Sequence, residues 1–516
     1  MRKLTRISAL AAIMVCGLAF AEVKLPPVIS SHMVLQQGVN CPVWGTAGAG
    51  EKVTVKFRDQ EKSADADAQG KWMVKLDPLK VGEPATMTIA GSNTLTLEDV
   101  VVGEVWVGSG QSNMQMDMFP YVKNDPVLAK ISNEGNPQLR LITSGRKGWE
   151  VSTPQSNQTF SALCFSFGVP LQKELNVPLG LMVGAVGGTP SGMWLTQEQF
   201  DADEACKNMV AKFAATYSFE DAQKKYKDDL EKWEKLAAQA KADGKKDPPG
   251  KPHPPTHAGE CASQFGFLYK AHIQPYIPFA IKGVLWDQGE SGTAVLGVEQ
   301  YQIMGALIRG WRKEWGQGDF PFIHVQKPSG GGCAWDKEDP ITNKADSFGP
   351  LPDEKILNSG PNNYREAHIK LSEYPNTAMV IATDLGGGIH PSNKSGYGAR
   401  ACRVALGMVY GKKIEYYGPV YASHKIEDGK VRVSYTHAGQ GLAFKNGTKL
   451  QGFALAGDDK VFHWAEATID GDTVVLSCEK VSKPAAVRYA WSMNAPWANL
   501  FNKDGLPAIA FRTDSW

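Results

Sequence analysis

The chain has 516 residues and a mass of 56.0 kDa, so roughly two to four folded units are expected rather than one. Hydrophobic residues make up 42% and charged residues 21%, a globular balance that excludes a disordered chain. Lys and Arg number 55 against 54 Asp and Glu, which argues against nucleic-acid binding, since that function draws on a basic surplus.

Arg2, Lys3 and Arg6 form a basic start, and residues 7–20 are mostly apolar. Ala19-Phe20-Ala21 then offers small residues at the two positions that a signal peptidase reads. Residues 1–21 are therefore expected to be a signal peptide cleaved after Ala21, giving a periplasmic or secreted chain. A lipid anchor at Cys16 is the competing reading, and Val15 before it fits that poorly. Beyond residue 21, no uncharged apolar run approaches the roughly 18 residues a membrane span needs.

Loss of Cys16 leaves Cys41, Cys164, Cys206, Cys261, Cys333, Cys402 and Cys478, an odd and scattered set rather than a disulfide framework. Cys206 and Cys261 bracket one insertion and can pair, although isolated cysteines are more often buried free thiols. No C-x-x-C pair is present to suggest structural zinc.

Residues 22–100 read as an N-terminal β domain. Glu51 to Phe57, Lys71 to Leu76 and Ala85 to Ala90 alternate with period two, and Gly-bearing turns separate them. Residues 101–415 change texture. Val101 to Val107, Val177 to Gly184, Phe279 to Trp286 and Met379 to Thr383 read as buried strands, with amphipathic stretches such as Tyr301 to Trp315 between them. That alternation predicts an α/β core built on a parallel sheet, with ligands at the C-terminal ends of its strands.

An insertion at 201–258 interrupts this core. Ser218 to Asp221 has the form of a capping box. Tyr226, Leu230, Trp233, Ala237 and Ala240 then form one apolar stripe on a charged helix, expected to pack on the body or to serve as a lid or dimer contact. A Pro-rich run from Asp247 to Thr256 follows. Residues 416–516 return to strands, clearest at Lys430 to Tyr435 and Asp472 to Ser477.

The strongest local signal is Trp106-Val-Gly-Ser-Gly-Gln-Ser-Asn-Met114. A strand feeding a tight Gly-bearing turn exposes the hydroxyl of Ser112 and frees backbone N–H groups to bind an oxyanion. Taken alone, Gly-x-Ser is a common turn. A serine nucleophile needs a base, and Ile389-His390-Pro391 follows another buried strand and the Gly386-Gly-Gly388 run. Parallel strands would put His390 at the same sheet edge as Ser112. Gly184 to Pro190 and Trp286 to Ser291 are two more polar loops at strand ends, and either can be a plain turn.

Four blocks now stand in order: Gly110-Gln-Ser-Asn-Met114, Gly187-Gly-Thr-Pro190, Gln288-Gly-Glu-Ser291, and Asp384-Leu-Gly386 with Ile389-His-Pro-Ser-Asn-Lys394. Together they resemble the sialate O-acetylesterase family, within the SGNH hydrolases. Ser31-His-Met-Val-Leu-Gln36, Pro42-Val-Trp-Gly45 and the closing Ala486 to Trp491, Gly505 to Ala508 and Phe511 to Asp514 extend the resemblance over nearly the whole mature chain.

The resemblance implies an α/β, SGNH-hydrolase-like parallel sheet core flanked by β-sandwich modules. It implies a carbohydrate O-acetylesterase using a serine acyl-enzyme, acting on O-acetylated sialic acid or on acetylxylan or another acetylated glycan. Ser112 would be the nucleophile and His390 the base. The N–H groups of Ser112 and Gly188 and the Gln288 side chain would bind the oxyanion. Gln111, Asn113 and Glu290 would bind substrate, and no cofactor or metal is called for.

Two departures stand out. The acid that the family often carries two positions before its His is replaced by Gly388, and the one the wider superfamily often has three before by Gly387. Either Asp384 or a backbone carbonyl must then orient His390. Gly292 also stands where the family often has Asn. These departures keep two other functions open, a glycan-binding protein that has lost catalysis and a broader lipid esterase. Oligomeric state is not legible.

Overall fold

The computed structural model describes residues 22–246, 248, 250–326, 348–358, 363–386, 388–492 and 495–516. The expected signal peptide, Gly387 and Cys333 lie outside the described residues. Among the described residues, no helix is long and apolar enough to cross a membrane.

The core is a sheet of six parallel strands: β1 (Thr94–Gly110), β2 (Asn136–Thr143), β3 (Leu179–Ala185), β4 (Gly283–Asp287), β5 (Phe322–Val325) and β6 (Thr377–Val380). Their spatial order is β6-β5-β4-β1-β3-β2. Every residue of β3, β4, β5 and β6 is buried, as expected of strands covered on both faces. The chain leaves β1 in one direction, to β2 and β3, and then crosses to β4 on its other side. The crevice at the C-terminal end of β1, between β3 and β4, is thus the topological switch point where such sheets bind ligands.

Strand β1 is longer than the apolar run 101–107 implies. Its first half pairs antiparallel with Ala85–Ala90 in the N-terminal β region, and its second half pairs parallel with β3 and β4. The boundary expected at residue 100 therefore falls inside one continuous strand. The period-two stretches are found as strands Lys52–Phe57, Lys71–Leu76 and Ala85–Ala90.

Five helices bear on the site or the insertion: α1 (Ser112–Gln115), α2 (Ala162–Leu175), α3 (Phe219–Ala242), α4 (Gln300–Trp315) and α5 (Lys394–Val404). Helix α5 lies on α2. The approach is so close that a Cβ on Gly398 would stand 2.2 Å from the Ser166 carbonyl carbon, so only glycine fits there. Helix α4 locks to β4 through an edge-on Trp286–Trp311 pair with ring centroids 5.8 Å apart.

The insertion departs from expectation. Ser218 does cap α3, accepting from the Asp221 N–H at 3.1 Å, but α3 has no buried residue. Its stripe, from Tyr226 to Ala240, is half-buried rather than buried. The Trp233 Nε1–H on that stripe donates to the Pro248 carbonyl at 3.0 Å. Cys206 and Cys261 are both free thiols, and burial, with Asp203 beside it, pushes the Cys206 thiol up to about 12.

The C-terminal region forms separate antiparallel sheets, one of them built from Val420–Glu427, Lys430–Thr436, Thr473–Ser477 and Glu466–Asp470. Leu351, Ile356 and Leu357, from before β6, pack into its apolar clusters.

His324 in β5 gives the core a pH sensitivity. It is fully buried, and its Nε2 lies 2.8 Å from the His368 carbonyl, so that nitrogen carries the proton. Burial lowers its pKa to about 4. The unfolded chain, near 6.5, takes up the proton first as pH falls, so this contribution is present above about pH 6.5 and is lost toward pH 4. Between pH 7 and pH 5, the wild type should lose about 2 kcal/mol more stability than His324→Gln, which keeps an N–H for the same carbonyl. Urea unfolding of both proteins at the two pH values measures this.

Candidate active site

Strand β1 ends at Gly110, whose φ is +127°, and a Cβ there would lie 2.1 Å from the Asp287 carbonyl oxygen. Only glycine permits this turn. The Gln111 N–H then donates to that same Asp287 carbonyl at 2.8 Å, fixing the turn against the end of β4. Ser112 follows at the first position of α1, half-buried.

The second loop follows β3. A Cβ on Gly187 would lie 3.2 Å from the Ser112 Cβ, so this loop packs directly beside the serine. The Gly187 N–H donates to Gln115 Oε1 at 2.7 Å, which ties the loop to α1. Gly188 is exposed at the tip with φ +71°.

His390 arrives from farther away. It follows β6, three strands from β1, a lateral distance of about 14 Å at sheet spacing. Gly386 and Gly388, which stand between β6 and His390 in sequence, both have positive φ. His390 Nε2 ends 2.8 Å from Ser112 Oγ, and the ring is exposed. In the tautomer with its proton on Nδ1, Nε2 accepts the serine hydroxyl proton, which is the arrangement that turns an alcohol into a nucleophile. The structure thus brings together the two residues singled out from sequence.

Other expected residues stand elsewhere. Asp384 does not reach His390. Its Oδ2 accepts from Arg400 Nη2 on α5 at 2.7 Å, and its Oδ1 has no hydrogen-bond partner. Both side chains are buried, so Asp384 is the counter-ion of a core arginine at the root of the His390 loop.

Gln288 is not free to bind an oxyanion. Its Nε2 has two protons, directed to the carbonyls of Thr189 at 3.3 Å and Gly292 at 3.1 Å. Its Oε1 accepts from Ser191 Oγ at 3.2 Å and Gln300 Nε2 at 2.9 Å. It stitches the loop after β3 to the loop after β4. Gln111 and Asn113 are buried, so neither offers its side chain to a ligand at the surface, while Glu290 is half-buried after β4.

Three contributors were not singled out from sequence. Gln115 lies one residue past the first block, and Gln300 starts a helix. Lys394 closes the fourth block, and a lysine at the head of a Gly- and Ala-rich helix was the available signal. A further bridge comes from Asp125, which caps the helix Pro126–Ser132 and also accepts from the N–H and hydroxyl of Ser395 at 2.8 and 2.7 Å.

No family model matches the chain. It is similar to sialate O-acetylesterases over most of its length. It is 25% identical to the Homo sapiens protein over 517 residues, which is 90% of this chain and 86% of that one. Against the Mus musculus protein it is 27% identical over 526 residues, 90% of this chain and 88% of that one. Among solved structures, it resembles a carbohydrate acetylesterase from Xanthomonas citri. There the identity is 27% and the TM-score 0.73, with 96% of this chain and 100% of that chain covered.

Proposed function

We propose that this chain, similar to sialate O-acetylesterases from its N-terminal β region to its C-terminal sheets, is an exported carbohydrate O-acetylesterase with a serine mechanism. The observation that carries the reading is the 2.8 Å contact between Ser112 Oγ and His390 Nε2 at the sheet's switch point. The similarity to acetylesterases of sugars supports the substrate class. Export rests on the basic and apolar character of residues 1–21.

In this mechanism, His390 takes the hydroxyl proton as Ser112 attacks the acetyl carbonyl carbon. Negative charge develops on the carbonyl oxygen and is met by the N–H groups of Ser112 and Gly188. Each such donor lowers the barrier by roughly 3 kcal/mol. The C–O bond to the sugar breaks, and His390 returns the proton to the departing sugar oxygen. Water, deprotonated by His390, then attacks the acetyl-serine; the bond from the acetyl carbon to Ser112 Oγ breaks, acetate leaves, and His390 returns the proton to Oγ.

Acetate release from O-acetylated sialic acid and from acetylxylan, measured side by side with Ser112→Ala as control, tests the reading and separates the two sugars. Release above that control from either substrate supports it. Release from neither, with faster cleavage of long-chain acyl esters than of acetate esters, would reject the carbohydrate assignment.

A further inference from the structure

His390 is exposed and sits on a Gly-rich loop, and Asp384 accepts from Arg400 rather than from its ring. The backbone on either side of His390 is anchored to the turn that carries Ser112. The carbonyls of its two neighbours in sequence, Ile389 and Pro391, are held by two linked side chains, Asn113 and the buried Lys394. Lys394, 1% exposed, donates from Nζ to the Pro391 carbonyl at 2.8 Å and to Asn113 Oδ1 at 2.7 Å. Asn113 Nδ2 donates in turn to the Ile389 carbonyl at 3.0 Å.

The direction of these bonds follows from chemistry. An ammonium group only donates, so the Asn113 amide must turn its oxygen toward Lys394 and its NH2 toward the Ile389 carbonyl. Lys394 thus sets the amide's orientation. The ammonium stands 4.4 Å from the centroid of the Tyr121 ring, and the Tyr397 ring lies 5.5 Å away. Asn113 directly follows Ser112, while Ile389 and Pro391 directly flank His390. One cation therefore couples the backbone of the serine turn to both sides of the histidine.

We infer that Lys394, acting through Asn113, is a positioning residue that clamps the His390 loop onto the Ser112 turn and sets the distance between the reacting pair. The inference rests on the reading of Ser112 and His390 as that pair. The clamp touches neither substrate nor reacting atoms. Its removal lets the imidazole drift from the serine oxygen, and a misplacement of about 1 Å costs on the order of 100-fold in rate.

Lys394→Met and Asn113→Ala should each lower kcat for 4-nitrophenyl acetate by on the order of 100-fold, with KM within about threefold of wild type. The rate at which a fluorophosphonate labels Ser112 should fall in parallel. The double variant should fall little further than the worse single one, because both break the same connection. Lys394→Arg, which keeps a donor, should recover part of kcat. Asn113→Ala changes no charge and keeps the test open if Lys394→Met does not fold, as thermal unfolding will reveal.

A folded Asn113→Ala enzyme with wild-type kcat and labelling rate, alongside an inactive Ser112→Ala, overturns the clamp alone. Full turnover by Ser112→Ala overturns the clamp together with the reading beneath it.

Discussion

Ser112→Ala should reduce kcat for acetate release by about 10⁴-fold or more while leaving the fold intact. The hydroxyl is the only atom the substitution removes, and in the proposed reaction it forms the new bond. Its structural part is small. Ser112 opens α1 without capping it, because the N-cap residue is Gln111 and no side chain caps that helix. The hydroxyl's hydrogen bond goes to His390, a ring that faces solvent, so stability should change by no more than about 1 kcal/mol.

The His390→Ala variant should be comparably slow. The double variant should be no slower than the worse single one, since a nucleophile without its base and a base without its nucleophile fail for the same reason. Acetate assay, fluorophosphonate labelling and thermal unfolding on the four proteins check this. A Ser112→Ala enzyme that keeps more than about a tenth of wild-type kcat would remove Ser112 from the chemistry.

The sequence exposed those parts of the fold that local periodicity controls. Lys71–Leu76 alternates buried and exposed residues along its length, and its bounds are legible as written. The buried strands β3 and β4 are likewise visible as short apolar runs ahead of polar loops. Two core strands were not legible. Strand β2 opens with Asn136-Pro-Gln138, which masks the short buried run 139–142 behind it, and β5 has only four residues, too few to establish a period. Helix α2 carries Gly168 and Pro170 inside it, so its intrinsic propensity is poor, and its packing with α5 and the sheet supports it.

At the site, residue types and chain order pointed to Ser112 and His390, because a nucleophile and base must sit at strand ends. They did not show which way buried polar groups turn. Gln288 and Asp384 lie in the expected loops and Asn113 in the first turn of α1, yet each is turned inward to hold another loop or helix. That choice depends on partners such as Gln300, Lys394 and Arg400, which local pattern does not link to them.

Asp384 provides the sharpest separation between a catalytic and a scaffolding carboxylate. Were it the acid that orients His390, Asp384→Asn would favour the wrong imidazole tautomer and cut kcat by about 10⁴-fold at unchanged stability. The geometry gives the opposite expectation. The carboxylate is buried, and its hydrogen bond goes to Arg400, 2.7 Å away and also buried. Arg400→Met would leave that carboxylate charged in the core without its counter-ion and should cost about 3–5 kcal/mol.

Asp384→Asn should cost stability on the same account, because the guanidinium then faces a neutral amide, while kcat per folded molecule should stay within about tenfold of wild type. The two effects should not add. With both charges gone, neither partner is stranded, so Asp384→Asn with Arg400→Met should be more stable than the sum of the single effects allows. Urea unfolding of the four proteins, with kcat measured well below each midpoint, separates the two cases. A stable Asp384→Asn enzyme with kcat near 10⁻⁴ of wild type would return this residue to the catalytic machinery.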